Sequence, residues 1–169
     1  MKAVLMSIRP KWCELIFSGK KTAEVRKSRP KLKTPFKVYI YCTKDFKPNV
    51  KYGFKLWAGR GKVIGEFVCD LVRDARDCFI GPSCLTTEEW LKYTNGYKRQ
   101  VWCWRITDVK IYDEPKLLSA FYKECAGLDN TGLCDECENA VGEECDCAVN
   151  GQLHLTRPPQ SWCYVEELL

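Results

Sequence analysis

Stretches that alternate apolar and polar residues with a period of two constrain this chain most, because regular helical segments do not separate them. In FKVYIYCT, Phe36, Val38, Ile40 and Cys42 fall on one face and Lys37, Tyr39, Tyr41 and Thr43 on the other, the repeat of a strand. KVIGEFVCDLV, from Lys62, and VWCWRITDVKIYDE, from Val101, read as two more long strands, with Gly65 a bulge or a close approach of backbones. MKAVLMSI reads as a buried first strand and SWCYVEEL as the last. A doubly wound sheet needs a crossover helix between successive strands. The pattern instead predicts an α+β, mainly β chain of five to six strands in a curled or closed sheet, with two or three short flanking helices.

Two of those helices carry their own punctuation. RPKWCELIFSGK places Pro10 in a first turn, sets Trp12, Leu15 and Ile16 on one face and stops at Gly19. CLTTEEWLKYTNG carries a capping box, Thr86 with Glu89 three residues on, and ends at Asn95 and Gly96. The 169 residues, 46% of them hydrophobic, suffice for one compact core without disulfides. No run of about 18 apolar residues is present, so no membrane-spanning helix is expected. MKAVLMSIRPKW has too short an apolar segment for a secretory signal, and a cytoplasmic monomer is the expectation.

Directly after the first helix, GKKTAEVR gathers Lys21, Glu24 and Arg26 where helix gives way to strand. Period-two alternation turns Thr22, Glu24 and Arg26 to one side and Ala23 and Val25 to the other, so charges of both signs converge on a small surface. The charge distribution points the same way. Residues 1–64 hold 17 Lys and Arg against three acids, +14, while residues 65–169 hold 10 against 19, −9, giving the net +5. Lys20, Lys27, Arg29, Lys31 and Lys33 crowd the motif, a density suited to a polyanion whose neutralised phosphates release counterions. RNA or a phosphorylated ligand is the leading partner, with Lys20, Lys21, Arg26, Lys27 and Arg29 as contacts. Tyr41, with Tyr39, Trp102 and Trp104, supplies candidate stacking faces, although strand aromatics at this period more often pack a core.

Other chemistries find little support. His154 is the one histidine, so a Ser-His-Asp or Cys-His machine would depend on it, and no nucleophile elbow lies nearby. WAGRGKVIG has glycines without the spacing of a phosphate loop. Were the motif catalytic, Lys21 and Glu24 would form the acid and base pair.

The order strand, helix, glycine, basic strand resembles the ASCH domain family, whose pattern is glycine, any residue, lysine, two residues, glutamate, one residue, arginine. Gly19, Lys21, Glu24 and Arg26 fill every position. SIRPKWCELIFSGKKTAEVRKSRP, FKVYIYCT, VIGEFV and the closing PPQSWCYVEEL extend the likeness across residues 1–169 apart from a cysteine-rich insert. The resemblance implies a PUA-like pseudobarrel with Lys21, Glu24 and Arg26 lining a cleft beside the first helix, and an RNA-binding or modified-nucleotide-binding role. It implies as an alternative a hydrolase, either a ribonuclease or an amidohydrolase of acetylated cytidine. In the amidohydrolase branch a lysine activates a threonine, and here Glu24 holds the place of that threonine while Thr22 lies two residues away.

The insert, residues 125–147, holds five of the twelve cysteines. Cys134 and Cys137 form C-x-x-C and Cys145 and Cys147 form C-x-C, with Cys125 or His154 as alternates for one member. Four thiolates suit tetrahedral zinc, whose charge would offset the eight acids and no base between Glu124 and Cys147. A structural zinc knuckle is the expectation, and its acidic surface is a candidate dock for a protein partner. Cys13, Cys42, Cys69, Cys78, Cys84, Cys103 and Cys163 are expected to pack as small hydrophobes.

Overall fold

The computed structural model describes residues 1–45, 51, 53–77, 80–123 and 153–168. Among these the order is β1 (Lys2–Ile8), α1 (Pro10–Phe17), β2 (Ala23–Arg26), β3 (Phe36–Cys42), α2 (Phe54–Ala58), β4 (Val63–Cys69), β5 (Val72–Asp74), α3 (Ile80–Ser83), α4 (Thr87–Thr94), β6 (Trp102–Arg105), β7 (Thr107–Lys116) and β8 (Trp162–Glu166). The strands form two sheets, β7-β4-β3-β1-β8 and β2-β6-β5, and no closed barrel. Only β1 and β3 pair in parallel, connected through α1 and β2, and the remaining pairs are antiparallel. The fold is mainly β, as the alternation predicts.

Eight strands and four helices among the described residues exceed the expected five to six and two or three. The excess has a definite origin. KVIGEFVCDLV breaks at Asp70 and Leu71, so β4 lies in the larger sheet and β5 in the smaller. VWCWRITDVKIYDE breaks at Ile106, and β6 and β7 are divided between the sheets in the same way. The two breaks meet: Arg105 N–H donates to the Leu71 carbonyl at 2.9 Å, and its guanidinium donates twice to Asp70, each time at 2.7 Å. This bidentate pair closes a corner at which paired strands change sheets.

Between the sheets lies the main core, with Val4, Met6 and Ile8 of β1, Val38 and Ile40 of β3, Cys13 and Ile16 of α1, and Trp104 of β6. Phe36 meets Trp104 edge to face at 5.7 Å. The buried face of α1 is thus Cys13 and Ile16, with Trp12 and Leu15 only partly covered. Behind the larger sheet Tyr39 and Tyr41 join Leu5, Phe121, Leu155 and Val165 in a second cluster, so both faces of β3 are covered. A third cluster seats Ala23 and Val25 of β2 against Trp90, Val101 and Cys103.

Local signals read from the sequence are in place. Thr86 Oγ1 accepts from the Glu89 N–H at 3.1 Å, Glu89 Oε2 accepts from the Thr86 N–H at 2.9 Å, and Asn95 closes α4 in the left-handed region. Gly65 sits where the β3, β4 and β7 registers slip, and a Cβ there would overlap the Lys110 carbonyl oxygen. Cys13, Cys42 and Cys69 are buried free thiols, and burial pushes Cys69 up to about 12, the behaviour of an inert packing group. Cys103 departs from the expectation of a packed thiol because it is disulfide-bonded. Cys78 lies outside the described residues.

Candidate nucleic-acid interface

The end of α1 sets the position of Lys21. Gly19, at φ +72°, lets the chain turn back so that the Lys21 N–H donates to the Leu15 carbonyl at 2.9 Å. The lysine side chain then runs inward, only 3% exposed, with Nζ 5.0 Å from the centre of the Trp12 ring. Nζ donates to the Ser83 carbonyl oxygen at 2.6 Å and lies 3.3 Å from Glu24 Oε2. Along β2 the two-residue repeat brings Arg26 beside Glu24, with Arg26 Nε 3.1 Å from Glu24 Oε1. Arg26 also reaches across to the larger sheet, where its NH2 donates to the Ser7 carbonyl at 2.8 Å and its NH1 to Ser161 Oγ at 3.4 Å.

Glu24 is thus clasped between two cations, 9% of its side chain exposed. The contacts satisfy charge more fully than direction. Although both ion pairs lie within 3.3 Å, Glu24 Oε2 and Arg26 Nε have no aligned hydrogen-bond partner among the described residues. We read these contacts as Coulombic pairs that leave one acceptor and one donor unused, since a hydrogen bond weakens steeply with misalignment. The trio carries a formal +1, and it sits where α1, α3, β1, β2 and the segment before β8 converge. The chemistry of the cluster matches a ligand that offers an acceptor or a negative charge to Arg26 and an N–H to Glu24, and both free atoms are closed to solvent as the side chains stand.

The structure brings together the sequence-derived Lys21, Glu24 and Arg26 and sets other candidates apart. Lys20, Lys27 and Arg29 are exposed on the neighbouring surface, with Arg29 4.4 Å over the Trp102 ring and Lys27 5.5 Å over Tyr93. Tyr41 is 4% exposed and belongs to the cluster behind the larger sheet, away from the Glu24 face; burial raises its phenol above the ordinary range. Tyr39 is buried beside it, its oxygen accepting from the Leu168 N–H at 2.8 Å. Trp104 is wholly buried opposite Glu24, which leaves Trp102 as the partly exposed member of the four aromatics. The more distant carboxylates are engaged elsewhere: Glu66 by Tyr112 and Lys37, Asp70 by Arg105, Glu89 by its cap and by Lys11.

Sequence reasoning missed Trp12, Ser7, Ser83 and Ser161. Trp12 had a signal, since it lies on the helix that delivers Lys21. The serines come from three distant segments, and two of the four act through backbone carbonyls that carry no sequence mark. Cys125, Cys134, Cys137, Cys145 and Cys147 lie outside the described residues. Among the described residues no three His, Cys, Asp or Glu side chains gather to hold a metal, and no helix is long and apolar enough to cross a membrane. His154 is turned toward Ser119, Nδ1 against that carbonyl oxygen, with its ring 4.2 Å from Tyr122.

The ASCH domain model matches residues 6–144. The chain belongs to the ASCH domain family. The crystal structure of ASCH from Zymomonas mobilis is similar at 17% identity, with 98% of this chain and 88% of that chain covered and a TM-score of 0.58. Two mutants of the same protein match at 16% and 20% identity. They cover 98% and 70% of this chain and 89% and 77% of theirs, with TM-scores of 0.58 and 0.52. At these identities the likeness speaks for the fold. No curated protein matches the chain. In this ASCH domain the family pattern Gly19, Lys21, Glu24, Arg26 has a physical sense: the glycine turns the helix end, and the three charged residues meet in one buried cluster.

Proposed function

We propose that this ASCH domain binds RNA or a modified nucleotide, holding one base or phosphate in the cleft of Lys21, Glu24 and Arg26. The observation that carries this reading is the buried carboxylate oxygen, Glu24 Oε2, which lies between two cations without a hydrogen-bond partner among the described residues. A base edge pairing an N–H donor with a carbonyl acceptor matches Glu24 and Arg26 together. Trp12, half-buried beside Lys21, offers a flat neighbour. Lys21 donates to the Ser83 carbonyl, a use of the amine that favours positioning over nucleophile activation.

Fluorescence anisotropy against a panel of short single-stranded RNAs tests the reading. Each charge-assisted hydrogen bond contributes about 1.5–3 kcal/mol, so Lys21→Ala or Arg26→Ala lowers affinity roughly 10- to 150-fold. Unchanged affinity in both variants overturns the cleft assignment. Mass spectrometry of the same RNAs, and of an acetylated cytidine, after incubation addresses the hydrolase alternative. A product that disappears in Lys21→Ala would move the assignment to a ribonuclease or amidohydrolase. The segment 125–147 is proposed, on spacing alone, as a zinc knuckle held by Cys134, Cys137, Cys145 and Cys147.

A further inference from the structure

Between β2 and β3 the chain runs as a strap, KSRPKLKTP, with four bases and no acid. Its burial alternates: Pro30 and Leu32 turn inward, Leu32 against the main core, while Arg29, Lys31 and Lys33 stand exposed. Its backbone and stems are tied down at several points. Ser28 Oγ accepts from Trp162 Nε1 at 3.1 Å, the Lys31 N–H donates to Tyr164 Oη at 2.7 Å, and Arg29 lies on Trp102. Trp162 and Tyr164 belong to β8, the edge of the larger sheet, and Trp102 faces Arg26 across β2 and β6. The strap therefore starts beside the Lys21–Glu24–Arg26 cluster and is anchored to β6 and β8.

Some exposed bases elsewhere on the surface are paired, and others, such as Lys92, Lys98 and Lys110, have no carboxylate partner among the described residues. Arg9, Lys11, Arg76 and Arg105 each have a carboxylate, Asp45, Glu89, Asp74 and Asp70. Lys27, Arg29, Lys31 and Lys33 form no ion pair with any carboxylate among the described residues. A tied-down segment that presents several cations without carboxylate partners binds a polyanion with little ordering cost.

We infer that the strap Lys27–Lys33 is the backbone track of the site, so that the ligand is a single-stranded polynucleotide with several phosphates on the strap and one nucleotide in the cleft. The inference rests on the nucleotide reading of the cleft, and the two can fail separately. Four phosphate contacts on a single strand give a slope near −2.8 in log affinity against log salt, about a fifty-fold loss between roughly 50 and 200 mM.

The test titrates the full chain with a mixed-sequence single-stranded RNA octamer and with the four ribonucleoside 5′-monophosphates across that salt range. The octamer is expected to show the steeper slope. Lys31→Gln with Lys33→Gln lowers the octamer slope by about 1.4, weakens octamer binding about 25-fold at roughly 0.1 M salt, and leaves monophosphate binding unchanged. An unaltered octamer slope in the folded double variant overturns the strap. Should the variant not fold, the wild-type comparison decides, and equal slopes for octamer and monophosphate overturn it. A steep, strap-dependent octamer slope that survives Arg26→Ala at full affinity keeps the strap and removes the cleft reading. An octamer that does not bind at the lowest salt overturns both.

Discussion

The arrangement of charge in the cleft makes an asymmetric prediction about stability. Lys21, Glu24 and Arg26 have side chains 3%, 9% and 12% exposed, and the single anion serves both cations. Glu24→Gln keeps the shape but leaves two cations without a counterion in a site largely closed to water. Removing one partner of a buried pair costs about 3–5 kcal/mol. The lower figure applies here, because Lys21 and Arg26 keep the carbonyl oxygens of Ser83 and Ser7. Lys21→Met leaves Glu24 and Arg26 as a balanced pair and removes one donor from the Ser83 carbonyl and one cation from Glu24 Oε2. That loss is worth about 1–3 kcal/mol and is offset in part because one less charge is desolvated. The expected difference is about 2 kcal/mol, or roughly 4–8 °C in Tm. Urea unfolding followed by tryptophan fluorescence measures it. The gap should persist from low to high salt, since buried charges are screened little. The double variant should be less destabilised than the two losses added together. If Lys21→Met costs as much as Glu24→Gln, Glu24 is not the anion that balances both cations, and the reasoning fails.

Other expectations follow from local geometry. Gly65→Ala drives a methyl into the Lys110 carbonyl and should cost about 1–3 kcal/mol, whereas Gly19→Ala meets open space and costs only the left-handed backbone, about 1 kcal/mol; equal losses would refute the distinction. The Arg76 guanidinium, with its backbone N–H and the Gln100 amide, holds the Asp74 carboxyl well below the usual range, and Arg105 lowers Asp70. Both carboxyls are depressed, so their stabilisation is complete above the unfolded value near pH 4 and is lost as pH falls toward the folded values. The urea midpoint should therefore drop less steeply below about pH 4 in Asp74→Asn than in the parent chain, and parallel profiles would contradict the assignment. Metal analysis of the purified chain should find about one zinc, lost in Cys134→Ala with Cys137→Ala, and a zinc-free chain removes the knuckle. Tyr41→Phe should leave RNA affinity unchanged, because the ring packs behind the larger sheet.

How far the fold could be read in advance depended on whether a feature was local. The capping box of α4, the glycine turn after α1 and the shared face of Glu24 and Arg26 arise within a few residues, and each is legible as a spacing. The sheet changes at Asp70–Leu71 and at Ile106 were not legible. Apolar residues continue on both sides of each break, without a glycine or proline to mark it, and the corner is held by an Arg105–Asp70 contact across 35 positions. Tyr39 and Tyr41 show a similar limit. Alternation places them on one face, but Phe121, Leu155 and Val165, which cover that face, come from far along the chain. The cleft divides in the same way: its three charges are within six residues, and the Ser7, Ser83 and Ser161 contacts that orient them are supplied by tertiary structure.

Arg26 joins these levels. It leaves the smaller sheet at the end of β2 and is bonded to β1 and to the residue before β8, so the residue that pairs with Glu24 also ties one sheet to the other. A ligand that takes up the spare Arg26 Nε and Glu24 Oε2 would hold the same two sheets together, and binding should then protect the amides of β2 and the start of β8 from exchange. Because the strap Lys27–Lys33 follows directly on Arg26 and rests on Trp162 and Tyr164, a strand lying along it would load the same junction from outside. On the proposed reading, recognition and fold stability are coupled through one guanidinium. Its replacement by lysine, which presents a single ammonium in place of a planar fork, cannot satisfy Glu24, Ser7 and Ser161 at once.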